Sequence, residues 1–353
     1  MSDQDLRVAI VGYGLAGSVF HAPLVAATPG LTVAAVVTSN AERAKQAEEA
    51  YEGVAVLAGV DDVWRRADEI DLVVVASPNR AHASIAHAAI GAGIAVVVDK
   101  PFAVSVVEAE SVVEAAAARG VPLTVFQNRR WDGDFLTLRR LLDEGVLGTV
   151  TRYESRFERW RPVPKGGWRE SGSPAEAGGL LFDLGPHLID QALVLFGPVT
   201  HVYAEVDRIR QTVETDDDVF IALTHASGVR SHLWCSAVAS DLGPRLRVLG
   251  DRAAYVKYGL DVQEDALRAG GRPDRDEPWG VEPEVQWGRL GVGGEGDQVA
   301  TEPGAYQRFY AAVAAAVRGE GALPVDPRDS VEGLRIIEAA RRSHDHGQVV
   351  ALV

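Results

Sequence analysis

Val8-Ala9-Ile10-Val11-Gly12-Tyr13-Gly14-Leu15-Ala16-Gly17 is the stretch from which the rest of the chain is best read. Four apolar residues suit a strand buried on both faces, and the glycines after them have separable jobs. They allow a tight turn, let the backbone approach a pyrophosphate, and bring the next helix close to the strand. Phosphate oxygens then rest on free N–H groups where that helix opens, at Leu15 and Ala16. Gly-x-Gly-x-x-Gly alone is a weak signal that a plain glycine-rich turn also satisfies. Here it follows the first strand of a strand-helix series, the context a dinucleotide site requires, so Gly12, Gly14 and Gly17 are read as cofactor-binding.

The series continues through the apolar runs Val33 to Val37, Leu72 to Ala76, Ile94 to Val98 and Pro122 to Phe126, with a weaker run at Val54 to Leu57. These runs are continuous rather than alternating, and Ala-rich stretches of helical length at 41–52, 80–92 and 105–119 separate them. Repeated strand then helix predicts an α/β fold with an N-terminal doubly wound parallel Rossmann sheet. Beyond residue 126 the pattern changes. Segments 149–160, 199–208, 218–225, 229–238 and 245–257 read as strands joined by tight turns, predicting an α+β domain with a largely antiparallel open sheet. Residues 261–304 are rich in glycine, proline and charge and read mostly as a long loop or lid. Helices at 306–318 and 328–343 and a strand at 348–353 complete the chain. The expected domains are 1–126 for the dinucleotide and 127–353 for substrate and oligomerisation, with the C-terminal helix packing back on the first.

A chain of 353 residues, 47% hydrophobic and 24% charged, favours two domains over one. Its net charge of -15 argues against a nucleic-acid partner, because such binding rests on Lys/Arg neutralisation of phosphates. The uncharged stretch Val8 to Ala41 is broken by glycines, prolines and polar residues, so no membrane partner is expected. One cysteine, Cys235, excludes an intramolecular disulfide and fits a reducing, cytoplasmic location. Arginine carries nearly all the basic charge, since only Lys45, Lys100, Lys165 and Lys257 are lysines. A lysine inside a motif is therefore informative.

The second strand ends Val37-Thr38-Ser39-Asn40, where an NAD enzyme normally carries an acid for the ribose hydroxyls. Thr38 and Ser39 are able to donate to a 2'-phosphate and Arg43 to pair with it, so NADP is expected over NAD, which stays possible because Glu42 adjoins Arg43. The plainer alternative for Arg43 is a solvated helix residue. Ser77, Pro78 and Asn79 follow the next strand and are expected to border the ribose or nicotinamide. His82 either joins them or caps its helix.

Lys100, in Asp99-Lys100-Pro101, lies just past five apolar residues, a place that suits a cleft better than a solvated helix face. It is expected to donate to a substrate oxygen and to lie beside the cofactor. In Asp183-Leu184-Gly185-Pro186-His187-Leu188-Ile189-Asp190, His187 and Asp190 share one helix face and Leu188, Ala192 and Leu195 the opposite one. Pro186 favours the first helical positions, which puts Asp183 ahead of the helix. A histidine flanked by carboxylates is placed for proton transfer; a helix whose polar side meets water is the alternative.

Together the glycine fingerprint, Asp99-Lys100-Pro101 and Asp183-x-Gly-x-His187-x-x-Asp190 resemble the glucose-fructose oxidoreductase and inositol dehydrogenase family over essentially the whole chain. That resemblance implies that Lys100 and His187 act at the carbon exchanging hydride and that Asp183 supports them or binds substrate. The family's tripeptide is usually Glu-Lys-Pro, so Asp99 departs by one methylene. A narrower resemblance, to the family's NADP-dependent scyllo-inositol dehydrogenase branch, rests on Gln127 to Phe135, Trp160-Arg161-Pro162, Trp168-Arg169-Glu170 and Lys257 to Gly270. Their hydrogen-bonding groups beside aromatic faces suit a hydroxyl-rich ring, making Asn128, Trp131, Arg161, Trp168 and Tyr258 candidate substrate contacts, with core packing the alternative for both tryptophans.

The function so implied is interconversion of a secondary alcohol and a ketone on a cyclic polyol or sugar. Reduction of another keto-sugar or anhydro-sugar and a non-catalytic NADP-binding sensor are its rivals. No metal is expected: His82 and His87, and His344-Asp345-His346, lack a third partner at ligand spacing. A homodimer or homotetramer is expected, because segment 229–237 has apolar residues on both faces.

Overall fold

The computed structural model describes residues 5–164, 166 and 176–352. It divides into two compact units that are not contiguous in sequence: Met1–Trp131 with Val262–Trp279 and Ala305–Val331, and Asp132–Asp261 with Gly280–Gly304 and Glu332–Val353. Helix Gln307–Val317 belongs to the first unit, and the long helix Pro327–His346 spans the division.

In the first unit, β1 (Leu6–Val11), β2 (Leu31–Val37), β3 (Ala55–Leu57), β4 (Leu72–Val75), β5 (Ala95–Asp99) and β6 (Leu123–Phe126) form one parallel sheet in the order β3-β2-β1-β4-β5-β6. This is the doubly wound order, with the reversal between β1 and β4. Val8 to Ile10 and Val73 to Val75 are wholly buried, as strands covered on both faces must be, which is why their apolar runs do not alternate. Helices Ala41–Ala50, His82–Gly91 and Val106–Arg119 supply the connections. Asn40 and Ser105 cap two of them by accepting the N–H groups of Arg43 and Glu108.

The second unit holds β7 (Val150–Glu158), β8 (Val199–Asp207), β9 (Asp218–His225), β10 (Arg230–Ser236), β11 (Leu246–Gly250), β12 (Ala254–Lys257), β13 (Gly288–Val292), β14 (Glu295–Val299) and β15 (Val350–Ala351), in the order β14-β13-β12-β11-β7-β10-β9-β8-β15. All neighbours are antiparallel except β7 and β10. Burial alternates strictly along β9, as expected of strands with two unlike faces. The inward face, including Leu233 and Cys235, is buried. Helix Gly185–Phe196 packs on β7 and β10.

Several expectations need correction. Segment 245–257 is two strands, β11 and β12, turned at Asp251-Arg252. Residues 261–304 are not mostly irregular: they contain helix Gln263–Arg268 and the β13/β14 hairpin. The hairpin's Gly293-Gly294 loop has φ of 68° and 86° at its two residues, the positive values that tight two-residue turns demand. Exposed strands with charged residues hide this hairpin from an apolar-run search. Helix Gly133–Asp143 was not anticipated, and the final strand shrinks to β15.

Candidate active site

On the first unit the glycine loop is shaped as its spacing predicts. Gly12 has φ +98°, and a Cβ there would lie 2.5 Å from the Ala76 carbonyl oxygen at the end of β4, so the loop passes flush against the neighbouring strand. A Cβ on Gly17 would meet the Gly12 oxygen at 2.0 Å, so only glycine lets the following π-helical turn, Ala16–His21, close over the loop. At Gly14 the nearest atom to an added Cβ is an Arg43 guanidinium nitrogen, at 3.9 Å. Arg43 thus reaches over the loop rather than only outward, though the residue is exposed; Thr38 is half-buried and Ser39 exposed at the end of β2. Leu15 is also exposed, and Ser77 Oγ is buried with no hydrogen-bond partner. A cradle closed to side chains at Gly12 and Gly17, a cation above it and an orphaned hydroxyl at the adjacent strand end all fit a phosphorylated dinucleotide.

Pro78 is exposed and Asn79 is buried. His82 stands at the start of helix His82–Gly91. It is 1% exposed, makes no side-chain cap to its own helix, and sets its ring nitrogens 2.8 Å from the Pro101 oxygen and 2.9 Å from the Ser77 oxygen. It ties the end of β4 to the turn after β5. Burial pushes this imidazole below its ordinary value, against the pull of Asp99 and the two carbonyls.

Lys100 is half-buried directly past β5. Its backbone N–H donates to Asp99 Oδ1 at 2.8 Å. Burial alone would raise the Asp99 carboxyl, but His21, Lys100 and His82 outweigh it and hold the group below the usual carboxylate range. Sequence reasoning passed over His21 and Tyr310. His21 is fully buried against Phe126, with ring centroids 4.4 Å apart. The only sequence signal is a histidine in the helix opened by the fingerprint.

On the second unit, Asp183 ends the short helix Leu180–Asp183, and Leu184 separates it from helix Gly185–Phe196, with Pro186 in the first turn. Asp183 thus precedes the helix that carries His187. His187 is 5% exposed and Asp190 4%, so the polar face of that helix does not meet water. A buried lattice holds it: Arg245 donates to Gln191 Oε1 at 2.8 Å and to Ser155 Oγ at 2.5 Å, and pairs with Asp134 at 3.4 Å. Gly179, φ +92°, opens the preceding turn where the Asp216 carboxylate leaves no room for a Cβ, and that carboxylate accepts the Leu181 N–H at 2.7 Å. Burial raises Asp216 above the usual carboxylate range despite that bond and Arg341. Cys235 is pushed up by burial and by surrounding carboxylates, Asp216 and Asp183 among them.

Residues of the strings read as substrate contacts also bond to one another. Buried Arg129 pairs with Glu264 at 2.6 Å, Gln263 donates to the Trp131 oxygen at 3.1 Å, and the Gly133 N–H donates to Asp261 at 2.8 Å. Asn128 is buried, and Trp131 packs edge-on against Phe309 at 5.7 Å, the core-packing alternative. Arg161 is exposed, its backbone bonded to Ala237 and Arg210. Tyr258 is exposed, and Trp168 lies outside the described residues. Among the described residues no cluster of three or more His, Cys, Asp or Glu is arranged to hold a metal, and no helix is long and apolar enough to cross a membrane.

A dinucleotide-type Rossmann unit joined to a second unit with a mixed, mostly antiparallel sheet defines a nicotinamide-linked oxidoreductase class. Residues 6–127 match the model of the oxidoreductase family with an NAD-binding Rossmann fold, and residues 135–256 that of the GFO/IDH/MocA C-terminal domain. The chain belongs to the GFO/IDH/MocA oxidoreductase family. It is 39% identical to the uncharacterized oxidoreductase YdgJ of Escherichia coli, with both chains fully covered. It is 36% identical to the scyllo-inositol 2-dehydrogenase (NADP(+)) IolW of Bacillus subtilis, covering 98% of this chain and 96% of that one. Among solved structures, the oxidoreductase yvaA of Bacillus subtilis superposes with a TM-score of 0.94 at 34% identity, with full coverage of both chains.

Proposed function

We propose that this protein interconverts a secondary alcohol and a ketone on a cyclic polyol or sugar with NADP, in the manner of a scyllo-inositol dehydrogenase. When bound, the nicotinamide supplies or accepts the hydride. Gly12, Gly14 and Gly17 admit its pyrophosphate, with the N–H groups of Leu15 and Ala16 beneath. Arg43, Thr38 and Ser39 receive the 2'-phosphate, and Ser77, Pro78 and Asn79 border the ribose and nicotinamide. Lys100, positively charged, hydrogen-bonds the reacting oxygen and stabilises developing alkoxide. His187 takes the hydroxyl proton during oxidation and returns it during reduction, with Asp183 in support. Asn128, Trp131, Arg161, Trp168 and Tyr258 remain the proposed ring contacts.

The observation that carries this reading is Lys100 standing directly past β5 of a dinucleotide-type sheet, its N–H on the Asp99 carboxylate. The 36% identical NADP-linked inositol enzyme adds the substrate class. The test is incubation with NADP+ and a panel of inositols and sugars, followed at the absorbance band of reduced nicotinamide. Turnover with a ring polyol is expected. Tight NADP binding with no turnover on any member of the panel would leave the sensor reading instead. A cytoplasmic location belongs to the same reading, supported by the lone cysteine.

The assembly we propose is a homodimer or homotetramer joined through the second unit's sheet. On its outward face Trp234 lies 5.1 Å from Phe220, with the Arg156 guanidinium 3.9 Å above its ring. Only monomer in light scattering at micromolar concentration would remove this proposal.

A further inference from the structure

Beneath Lys100 the first unit buries a chain of polar groups drawn from three distant parts of the sequence. Tyr310, on helix Gln307–Val317, sets its hydroxyl 2.6 Å from His21 Nδ1. His21 Nε2 faces Asp99 Oδ1 at 3.7 Å, an ion-pair separation longer than a hydrogen bond. Asp99 Oδ1 in turn accepts the Lys100 backbone N–H at 2.8 Å. Burial, with Asp99 close by, pushes the Tyr310 hydroxyl well above its ordinary value. Of the two neutral tautomers, the one with its proton on Nε2 turns an N–H toward the carboxylate and leaves Nδ1 to accept from the Tyr310 hydroxyl. Phe126 and Phe309 enclose the assembly: Phe126 lies 4.4 Å from His21 and 5.8 Å from Tyr310, and Phe309 5.2 Å from Tyr310. Lys100 and, from its own helix, His82 are the other titratable groups acting on Asp99.

We propose that Tyr310, His21 and Asp99 form a positioning relay for Lys100, fixing through the Asp99 carboxylate both where the lysine leaves β5 and the negative charge beside it. The short arm of Asp99 folds back onto the next residue's N–H while facing His21. None of the three is a catalytic residue; each acts through Lys100, and the proposal rests on the reading of Lys100 given above.

The test uses the intact protein carrying Asp99→Asn or Tyr310→Phe, each alone and on a Lys100→Met background. Tyr310→Phe removes one oxygen and keeps the ring packing, so it stays informative if Asp99→Asn or a His21 variant fails to fold. The first readout needs no substrate: labelling of Lys100 by trinitrobenzenesulfonate, followed by peptide mass spectrometry against the exposed Lys45 as internal standard. A lysine released from its anchor is expected to label roughly threefold or more faster in either variant, with Lys45 unchanged. The second is kcat for NADP-linked oxidation of scyllo-inositol. We expect losses of about tenfold for Asp99→Asn and about threefold for Tyr310→Phe, with the NADP Kd held within about twofold. On Lys100→Met neither change should add more than about twofold, because the group it positions is gone. Unaltered Lys100 labelling in both variants, or full additivity on Lys100→Met, overturns the relay. If Lys100→Met itself turns over normally, the proposed role of Lys100 fails, and the labelling experiment still decides the relay.

Discussion

In the first unit Val73, Val74, Val75, Val97 and Val98 have no exposed surface, and the polar groups Ser77, Asp99 and Lys100 wait until the strands end or have ended. In the second unit ions lie within the buried structure itself. Lys257 at the end of β12 meets Glu282 at 3.0 Å, Arg245 meets Asp134 at 3.4 Å, and Arg210 meets Asp217 at 2.8 Å, every partner buried or nearly so. A parallel sheet covered by helices on both faces has no wet side, so charge is expelled to its carboxyl edge, where ligands bind. The second unit keeps charge inside, and one such group, Arg245, anchors the helix that carries His187. The contrast teaches that the first unit's strands carry their charge at the ends, while the second unit holds ion pairs within its packed interior.

The largest expected effect tests the proposed roles of the two units. His187→Ala should lower turnover ~100- to 10,000-fold, as loss of a general acid-base group does, while NADP affinity measured by fluorescence titration stays within about twofold. Loss of NADP binding along with turnover would break the separation between the units.

Next is stability. Lys257→Met leaves Glu282 buried without its cation, although Thr301 still donates to it, and should cost ~3–5 kcal/mol in urea unfolding. The double change Lys257→Met with Glu282→Leu should recover most of that, because a buried pair is more harmful broken than absent. The control, Lys45→Met, removes an exposed i,i+4 pair with Glu49 and should cost at most ~1 kcal/mol. Equal losses for the two lysines would erase the contrast.

Arg43→Ala should weaken NADP by ~1.5–3 kcal/mol, about one to two decades, and leave NAD unchanged, because only the former carries the 2'-phosphate. An equal loss for both cofactors would detach Arg43 from that phosphate and leave it a solvated helix residue.

The smallest effect lies on the exposed side of the first unit. The Arg7 guanidinium, 3.0 Å away, holds Asp71 below the usual carboxylate range. A depressed folded-state value stabilises the protein above the unfolded-state value and loses that contribution as pH falls through the folded one. Asp71→Asn should therefore flatten the fall in Tm between pH 5 and pH 2, by an amount worth less than ~1 kcal/mol because both side chains are partly solvated. A Tm profile parallel to the unsubstituted protein's would show that the pair contributes nothing.

Where the chemistry is local, the chain could be read directly. Gly12 and Gly17 are needed where they stand because a Cβ on either would run into backbone, and Lys100 stood out because it lies just past five apolar residues in a chain with few lysines. The same local reasoning did not reach the partners that hold Trp131 and the strings around it. Arg129 with Glu264 and Gln263 with Trp131 are pairs that no spacing rule connects.

Local periodicity and backbone sterics, which act over a few residues, were enough for the sequence by itself to determine the parallel sheet, the cradle for a dinucleotide and the helix bearing His187. Tertiary structure alone decided what lies behind those elements. It buried the polar face of that helix and turned the ring of His82 onto two carbonyls. It also brought Tyr310, nearly three hundred residues distant, onto His21 under Lys100. The physical reason is that a buried polar group must find a partner wherever the fold supplies one, and the distance along the chain to that partner leaves no periodic trace in the sequence.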